Sequence, residues 1–360
     1  MKGKKVYVGM SGGVDSSVSA ALLQDQGFNV TGVFIRVWQP DWMECAWRED
    51  RLDAMRVCVA LDIPFVTLDL EKEYKREVVD YMISEYVAGR TPNPDVMCNR
   101  YVKFGGFFDW AMKQGVDYIA TGHYARIEKT RDRASDFKLV AGSDQNKDQS
   151  YFLWTLTQKH LSKTLFPVGD MEKSETRALA RKLKLPVAEK RDSQGLCFIG
   201  KVNIKEFLSH YIKPKIGKIL NEFGETIGEH DGAVFLTLGE RCGFTPIKKT
   251  ANEKSYYVIS RDIEKNTVTV SHKSPVGALS VEKNEYSLKS INWISGIPET
   301  KKRYSARVRH LGELLSCEIE VKESRKKSVK ITFENPTIIA PEQSIVVYDG
   351  KECLGGGIVI

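Results

Sequence analysis

The chain is short of the features that assign a class at a glance. Its seven cysteines, at 45, 58, 98, 197, 242, 317 and 353, include no C-x-x-C pair, which excludes a zinc ribbon and a thioredoxin-type motif. In a reducing compartment such scattered cysteines are mostly small buried hydrophobes, with one or two left over as candidate nucleophiles. No apolar run is long enough to span a bilayer, and the one behind Lys2, Lys4 and Lys5 is too short for a signal peptide. The expectation is a cytoplasmic protein with no membrane partner. Internal repeats and low-complexity tracts are absent, which excludes solenoids and compositional linkers. Excess charge of one sign is also small: +7 over 360 residues fits a nucleic-acid partner without demanding one. What is present, 28% charged and 42% hydrophobic residues, describes a globular protein long enough for two or three domains.

The most informative stretch is Gly9-Met10-Ser11-Gly12-Gly13-Val14-Asp15-Ser16, followed by Ser17. It succeeds a short apolar run from Val6 and opens a helical pattern with Val14, Val18, Ala21 and Leu22 on one face. Strand, glycine-rich turn and helix let backbone N–H groups and a helix N-terminus close on a phosphate, and Ser11, Ser16 and Ser17 add hydroxyl donors. No Lys follows the glycines, so this is not the G-x-x-x-x-G-K-[ST] loop. Asp15 stands in the loop instead, and a carboxylate beside polyphosphate calls for a bridging cation, Mg2+ being the expected one rather than a metal caged by protein. The plainer reading, a Gly-Gly turn with a serine cap, fits an isolated S-G-G better than it fits all seven residues in this position.

From residue 1 to about 200, strand and helix patterns alternate. Strands are expected at Lys5–Gly9, Val30–Trp38, Pro64–Leu70 and Asp117–Thr121, and helices at Arg48–Leu61, Tyr74–Ala88 and Phe104–Gln114, with Gly27, Gly89 and Gly115 at helix ends. Such alternation implies a parallel sheet covered on both faces, with ligands beyond the carboxyl ends of its strands. The tryptophans at 38, 42 and 47 read either as a packed cap or as a stacking surface, packing being the better fit.

Two further stretches carry cysteine. Arg90-Thr-Pro-Asn-Pro-Asp-Val-Met-Cys98 is stiffened by two prolines and presents Asp95 and Cys98 just before a new helix, where a thiol would have a lowered pKa. Asp192-Ser-Gln-Gly-Leu-Cys197 is a polar-to-apolar segment beside Gly195. Each cysteine alone reads as incidental; paired in unusual loops of one half of the chain, they favour a catalytic reading. His123, at the tip of an expected strand, is a weaker candidate, and Asp148–Leu153 mixes polar and aromatic residues before another helix.

After about residue 203 short strands with turns at Asn221–Gly224 and Glu229–Gly232 replace the alternation, and from about Pro275 the pattern suggests a small β-barrel. The expected limits are 1–203 for an ATP-binding catalytic domain, 204–274 for a small β-rich domain and 275–360 for a barrel. Period-two alternation would put Arg303, Ser305, Arg307 and Arg309 on one face for phosphate contact. The cationic run Lys322–Lys330 reads better as a solvated face.

The loop at 9–16 resembles the signature of the PP-loop ATP pyrophosphatases, which activate a carbonyl oxygen by adenylation. Taken with GRTPNPDVMCN at 89–99, ATGHYAR at 120–126, KDQSYFL at 147–153, DSQGLCFIG at 192–200 and CLGGG at 353–357, the whole chain resembles the tRNA-specific 2-thiouridylases of the MnmA type. That resemblance implies an α/β PP-loop domain, a central β-rich domain and a C-terminal β-barrel. It implies adenylation of the C2 oxygen of the wobble uridine (position 34) in tRNA, then persulfide sulfur transfer giving 2-thiouridine, AMP and pyrophosphate. Cys197 would carry the persulfide, Cys98 would complete transfer and leave a disulfide, and Asp95 would act as acid/base or orient the Cys98 loop. Residues 9–16, Ile35 and Gly122 would meet ATP. Asn93, Pro94, Asp95, His123, Lys147, Asp148, Gln149, Arg303, Tyr304 and Gln343 would meet tRNA. The partners implied are tRNA and an upstream persulfide donor, a cysteine desulfurase or relay protein, with the enzyme itself a monomer. The competing readings are another PP-loop enzyme of the amidotransferase type, a non-catalytic RNA-binding module, and an iron–sulfur cluster on Asp95, Cys98 and Cys197 in place of the disulfide route.

Overall fold

The structure, a computed structural model, describes residues 2–43, 46–130, 137–192, 203–242, 245–246, 255–272, 283–322 and 328–360. The expected strands form as β1 (Lys5–Met10), β2 (Asn29–Arg36), β3 (Phe65–Asp69) and β4 (Tyr118–Ala120). Next come β5 (Ala125–Lys129) and β6 (Phe137–Ala141), which form a hairpin, and β7 (Thr164–Leu165). The order β3-β2-β1-β4-β7 is parallel throughout. Val6, Val8, Val33 and Ile119 are completely buried because helices cover both faces. The helices Val14–Asp25, Tyr81–Val87 and Phe108–Lys113 end just before Gly27, Gly89 and Gly115, as their spacing predicts.

The middle of the chain gives β8 (Gly217–Leu220), β9 (Thr226–His230), β10 (Arg241–Cys242), β11 (Thr245–Pro246), β12 (Tyr256–Asp262) and β13 (Thr267–Ser271), in the order β10-β12-β13-β8-β9-β11. The remainder gives β14 (Lys283–Trp293), β15 (Arg303–Arg307), β16 (Leu315–Lys322), β17 (Ser328–Thr337), β18 (Ser344–Asp349) and β19 (Glu352–Val359). These close into an antiparallel barrel, because β14 pairs with β17 on one side and with β19 on the other. The glycine run 355–357 lies on β19 where it passes between β18 and β14.

The joint between the first and last regions was not legible as a pattern. Strand β6 pairs with β19 through Val140 and Leu139, so the N-terminal hairpin adds two strands to the barrel sheet. One hydrophobic core runs through both regions, from Val33, Phe104 and Trp154 to Ile294, Val346 and Tyr348. Trp154 donates its indole N–H to Ser344 Oγ at 3.2 Å, and Asn292 Nδ2 donates to the carbonyls of Trp154 and Leu156 at 2.8 Å each. Tyr151 and Leu153 are fully buried in the same seam. The aromatic residues of 147–153 therefore dock the barrel. Of the tryptophans, Trp42 stacks on His210 with centroids 3.7 Å apart, and Trp38 packs against the core, in line with the packing reading.

Candidate nucleotide and cysteine site

The turn after β1 is built from its own residues. Gly12 has φ +72°, and a Cβ there would stand 2.2 Å from the carbonyl oxygen of Asp50, so only glycine fits. Ser11 N–H donates to Ser16 Oγ at 3.2 Å, and the hydroxyls of Ser16 and Ser17 both donate to Gly13 O, at 3.3 and 2.7 Å. Those two hydroxyls, expected to face phosphate, are thus spent on the turn; Ser16 and Ser17 are buried while Ser11 is exposed. Met10 and Val14 are likewise buried, so their contribution to a ligand is backbone. Gly122, at the end of β4, touches the loop itself: a Cβ there would lie 2.7 Å from Ser16 N. Ile35 lies at the carboxyl end of β2 with its side chain in the core.

Asp15 faces outward from the loop and is met by a cation from far along the chain. Lys173 Nζ bonds both its oxygens, at 2.6 and 2.9 Å, and Tyr124 Oη donates to Oδ1 at 2.9 Å. Lys173 also reaches Asp192 Oδ1 at 2.9 Å, which Arg177 meets at 2.6 Å, while Lys147 holds Asp192 Oδ2 at 2.8 Å. Burial alone would raise the Asp192 pKa, but the bonds from Lys147 and Lys173 bring it down to about 2. Lys147, expected on tRNA, is engaged here. Lys173 and Arg177 escaped the sequence reading, and the available hint was indirect: a phosphate loop without lysine needs a cation from elsewhere.

The Cys98 stretch folds differently from its expectation. The helix begins at Pro94, with the Asn93 side chain accepting from Val96 N–H at 3.2 Å. Asp95 therefore sits in the first turn and Cys98 in the second, fully buried, where the helix widens into a π-helical stretch, Cys98–Phe107. Cys98 does not stand at a helix N-terminus, because the capping asparagine starts the helix five residues earlier. Asn99 Nδ2 donates to the Asp95 carbonyl at 2.9 Å. Farther along this helix Lys103 Nζ lies 3.3 Å from His123 Nε2, whose Nδ1 lies 2.7 Å from Thr121 Oγ1. Burial, and then the Lys103 ammonium, hold the His123 imidazole well below its usual pKa, so it is neutral at pH 7. His123 is buried, and it links the Cys98 helix to the segment packed on the phosphate loop.

The loop 89–93 is clamped from outside. Arg261 of β12 donates to Gly89 O at 2.7 Å and Thr91 Oγ1 at 3.3 Å, and also to Leu236 O. Gln343 Nε2 donates to Thr91 O at 2.7 Å, and Thr91 N–H to Pro341 O at 3.0 Å. Glu342, buried, is held by Tyr81, Lys289 and Arg90. Gln343, expected on tRNA, is here a tie between barrel and loop. Asp148, also expected on tRNA, is 1% exposed; it accepts from Gly142 N–H, from Ser150 and from Arg307 of the barrel. Gln149 Oε1 accepts from Tyr124 N–H at 3.1 Å. Tyr304 points into the barrel core, its hydroxyl accepting from Glu299 N–H at 2.9 Å, so its ring is not on the surface. Arg303 is exposed as expected, whereas Arg307 turns to Asp148 instead of sharing a phosphate face. Cys197 lies outside the described residues, as does part of the run 322–330.

Comparison with known proteins follows this geometry. Residues 4–201 match the family described as tRNA methyl transferase HUP domain, 205–272 the tRNA methyl transferase PRC-barrel domain and 283–359 the aminomethyltransferase beta-barrel domain. The chain is 42% identical over 367 residues to the tRNA-specific 2-thiouridylase MnmA of Francisella tularensis subsp. novicida (strain U112), covering 100% of both chains. The protein of the same name from subsp. tularensis (strain WY96-3418) matches equally, at 42% over 100% of both. Among solved structures, the U34-tRNA thiolase NcsA from Methanococcus maripaludis with its [4Fe-4S] cluster aligns at TM-score 0.36 and 20% identity, over 59% of this chain and 66% of that one.

Proposed function

This chain belongs to the tRNA-specific 2-thiouridylase family, and we propose that it converts a tRNA uridine to 2-thiouridine at the expense of ATP. The observation that carries the reading is that Lys103, on the Cys98 helix, meets His123 next to Gly122, which packs on the phosphate loop, within a chain alignable end to end with 2-thiouridylases. Uridine C2 holds a carbonyl oxygen that is a poor leaving group. Attack of that oxygen on the α-phosphorus of ATP expels pyrophosphate and turns it into part of AMP. The terminal sulfur of a Cys197 persulfide then adds to C2 and AMP departs. Cys98 thiolate attacks the Cys197 sulfur, the S–S bond to the transferred atom breaks, and that pair of electrons leaves C2=S beside a Cys98–Cys197 disulfide. The cysteine oxidation balances reduction of the sulfane sulfur. Asp95, in the first turn before Cys98, is the proposed acid/base or orienting group.

For Mg2+ the fit rests on Asp15. Mg2+ commonly binds through one or two carboxylates plus substrate phosphates, and Asp15 is 31% exposed at the loop. Its oxygens already carry Lys173, so a metal there would share or displace that ammonium. When bound, the ion would neutralise charge developing on pyrophosphate. The proposal further takes tRNA contact to involve Arg303 and the loop at Asn93–Asp95, sulfur to come from a cysteine desulfurase or relay protein, and the enzyme to act as a cytoplasmic monomer. The domain limits 1–203, 204–274 and 275–360 are proposed too; the family matches, which break at 201–205 and 272–283, support them.

The test is formation of 2-thiouridine in tRNA by purified protein with ATP and a persulfide donor, followed by peptide mapping after one turnover without reductant. A Cys98–Cys197 disulfide is expected. Thiolated product with another cysteine pair, or none, would point to the cluster route, and no product with any donor would remove the reading.

A further inference from the structure

The loop at Ser11–Ser17 contains no lysine, yet a lysine from 158 positions later stands on its carboxylate. We propose that Lys173, with Arg177 and Lys147, forms the cationic half of the triphosphate site and binds the β- and γ-phosphates of the nucleotide. The inference deepens the proposed function and rests on it only for the identity of the nucleotide.

The three cations converge by construction. Lys173 and Arg177 are four residues apart on the helix Lys173–Lys182 and so share one face, while Lys147 approaches from the loop after β6. The side chain of Lys173 is 12% exposed and that of Arg177 is 24% exposed. Burying an ammonium that far is unfavourable unless it is paired. Two carboxylates, Asp15 and Asp192, perform that pairing: Lys173 bonds both oxygens of Asp15 and forms an ion pair with Asp192 Oδ1, contacts that a phosphate would share. Tyr124 supports the arrangement with a hydroxyl on Asp15 Oδ1.

The backbone N–H groups of Glu172, Lys173 and Glu175 at the start of that helix are already taken. Lys173 N–H donates to Asp144 Oδ2 at 3.0 Å, and Glu172 closes a capping box with Glu175. An anion is therefore met by the side-chain cations and not by the helix end. In the turn, the N–H groups of Ser11 and Gly13 and the hydroxyls of Ser16 and Ser17 all bond within the turn itself. Without the three cations, polyphosphate would face Asp15 and Asp192 with no cation on either carboxylate among the described residues. With them, the lysine that other phosphate loops carry in sequence is supplied in space, and Asp15 holds it in place.

Isothermal titration of ATP, inorganic pyrophosphate and AMP into the full-length protein, without tRNA or sulfur donor, tests this apart from any thiolation activity. For Lys173→Met, the dissociation constants of ATP and pyrophosphate are expected to rise at least about tenfold, with that of AMP changing less than about twofold. Lys173→Arg keeps the charge and should recover most of the loss, which also controls for folding together with a melting curve. The double variant Asp15→Asn with Lys173→Met separates contact from neutralisation: pyrophosphate binding should stay weak. Recovery in the double variant would mean that Lys173 only cancels Asp15, and would overturn the proposal. Unchanged pyrophosphate affinity in Lys173→Met, or a parallel loss of AMP, would overturn it equally.

Discussion

The loops at Ser11–Ser17 and Gly89–Cys98 are built in opposite ways. Hydrogen bonds inside the first span at most five residues, and its conformation follows from Gly12 and three serines. The second takes its shape from afar: Arg261 bonds Gly89 from 172 positions away and Gln343 bonds Thr91 from 252. The backbone of the first loop is closed by its own residues, and what packs on it, Asp50, Gly122 and Lys173, comes from the same N-terminal region. The second loop is clamped by two other regions and has its geometry only when both are docked.

The strongest way to break the local loop is Gly12→Val. Positive φ costs a β-branched residue about 1–2 kcal/mol, and the new Cβ would meet the Asp50 carbonyl at 2.2 Å. ATP affinity is expected to fall by about a hundredfold or more in a titration, with tRNA binding retained in a gel-shift assay. Wild-type ATP affinity in this variant would remove the turn from the phosphate site.

The clamped loop should give the reverse pattern. Arg261→Ala removes three donors and leaves the Gly89, Thr91 and Leu236 acceptors unmet, a destabilisation of about 2–4 kcal/mol. Turnover to 2-thiouridine should drop about tenfold while the ATP dissociation constant stays within about twofold. Gln343→Ala, losing one bond to Thr91 O, should cost about 1 kcal/mol. The two share Thr91, so their effects on turnover should be non-additive. An equal loss of ATP affinity in either variant would show that the two loops are not independent.

The same contrast explains what could be read in the sequence. Four of the five strands of the parallel sheet, the helix ends at Gly27, Gly89 and Gly115, and the glycine turn after β1 all rest on spacing within a dozen residues, and they appear where expected, whereas the two-residue β7 was not expected. Arg261, Lys173 and Lys103 act over long separations, and nothing beside them marks them out. The environments that spacing did not show have two causes. Docking of the barrel on the first region joins Arg307 to Asp148, whereas Tyr304 is buried in the barrel's own core. Deleting 276–360 would consequently expose Tyr151 and Trp154 and strip β6 of its partner, so point variants such as Arg303→Glu are the cleaner probe of RNA contact.

The smallest expected effect belongs to Asp192, which pairs with Lys147, Lys173 and Arg177. Its pKa of about 2 lies below the ordinary aspartate value of 3.8, so it binds its proton less readily when folded. Stability from this group is therefore present above about pH 4 and disappears as pH falls towards 2. The shift corresponds to roughly 2 kcal/mol, which exposure of about a third of the side chain reduces to about 1 kcal/mol. Asp192→Asn should be less stable than wild type by that amount at pH 7 in urea unfolding, and the gap should close between pH 4 and pH 2, where the native carboxylate is itself protonated. Molar salt should narrow the gap at pH 7, since the partners are partly exposed. A gap independent of both pH and salt would mean that packing, and not the three cations, holds Asp192 in place.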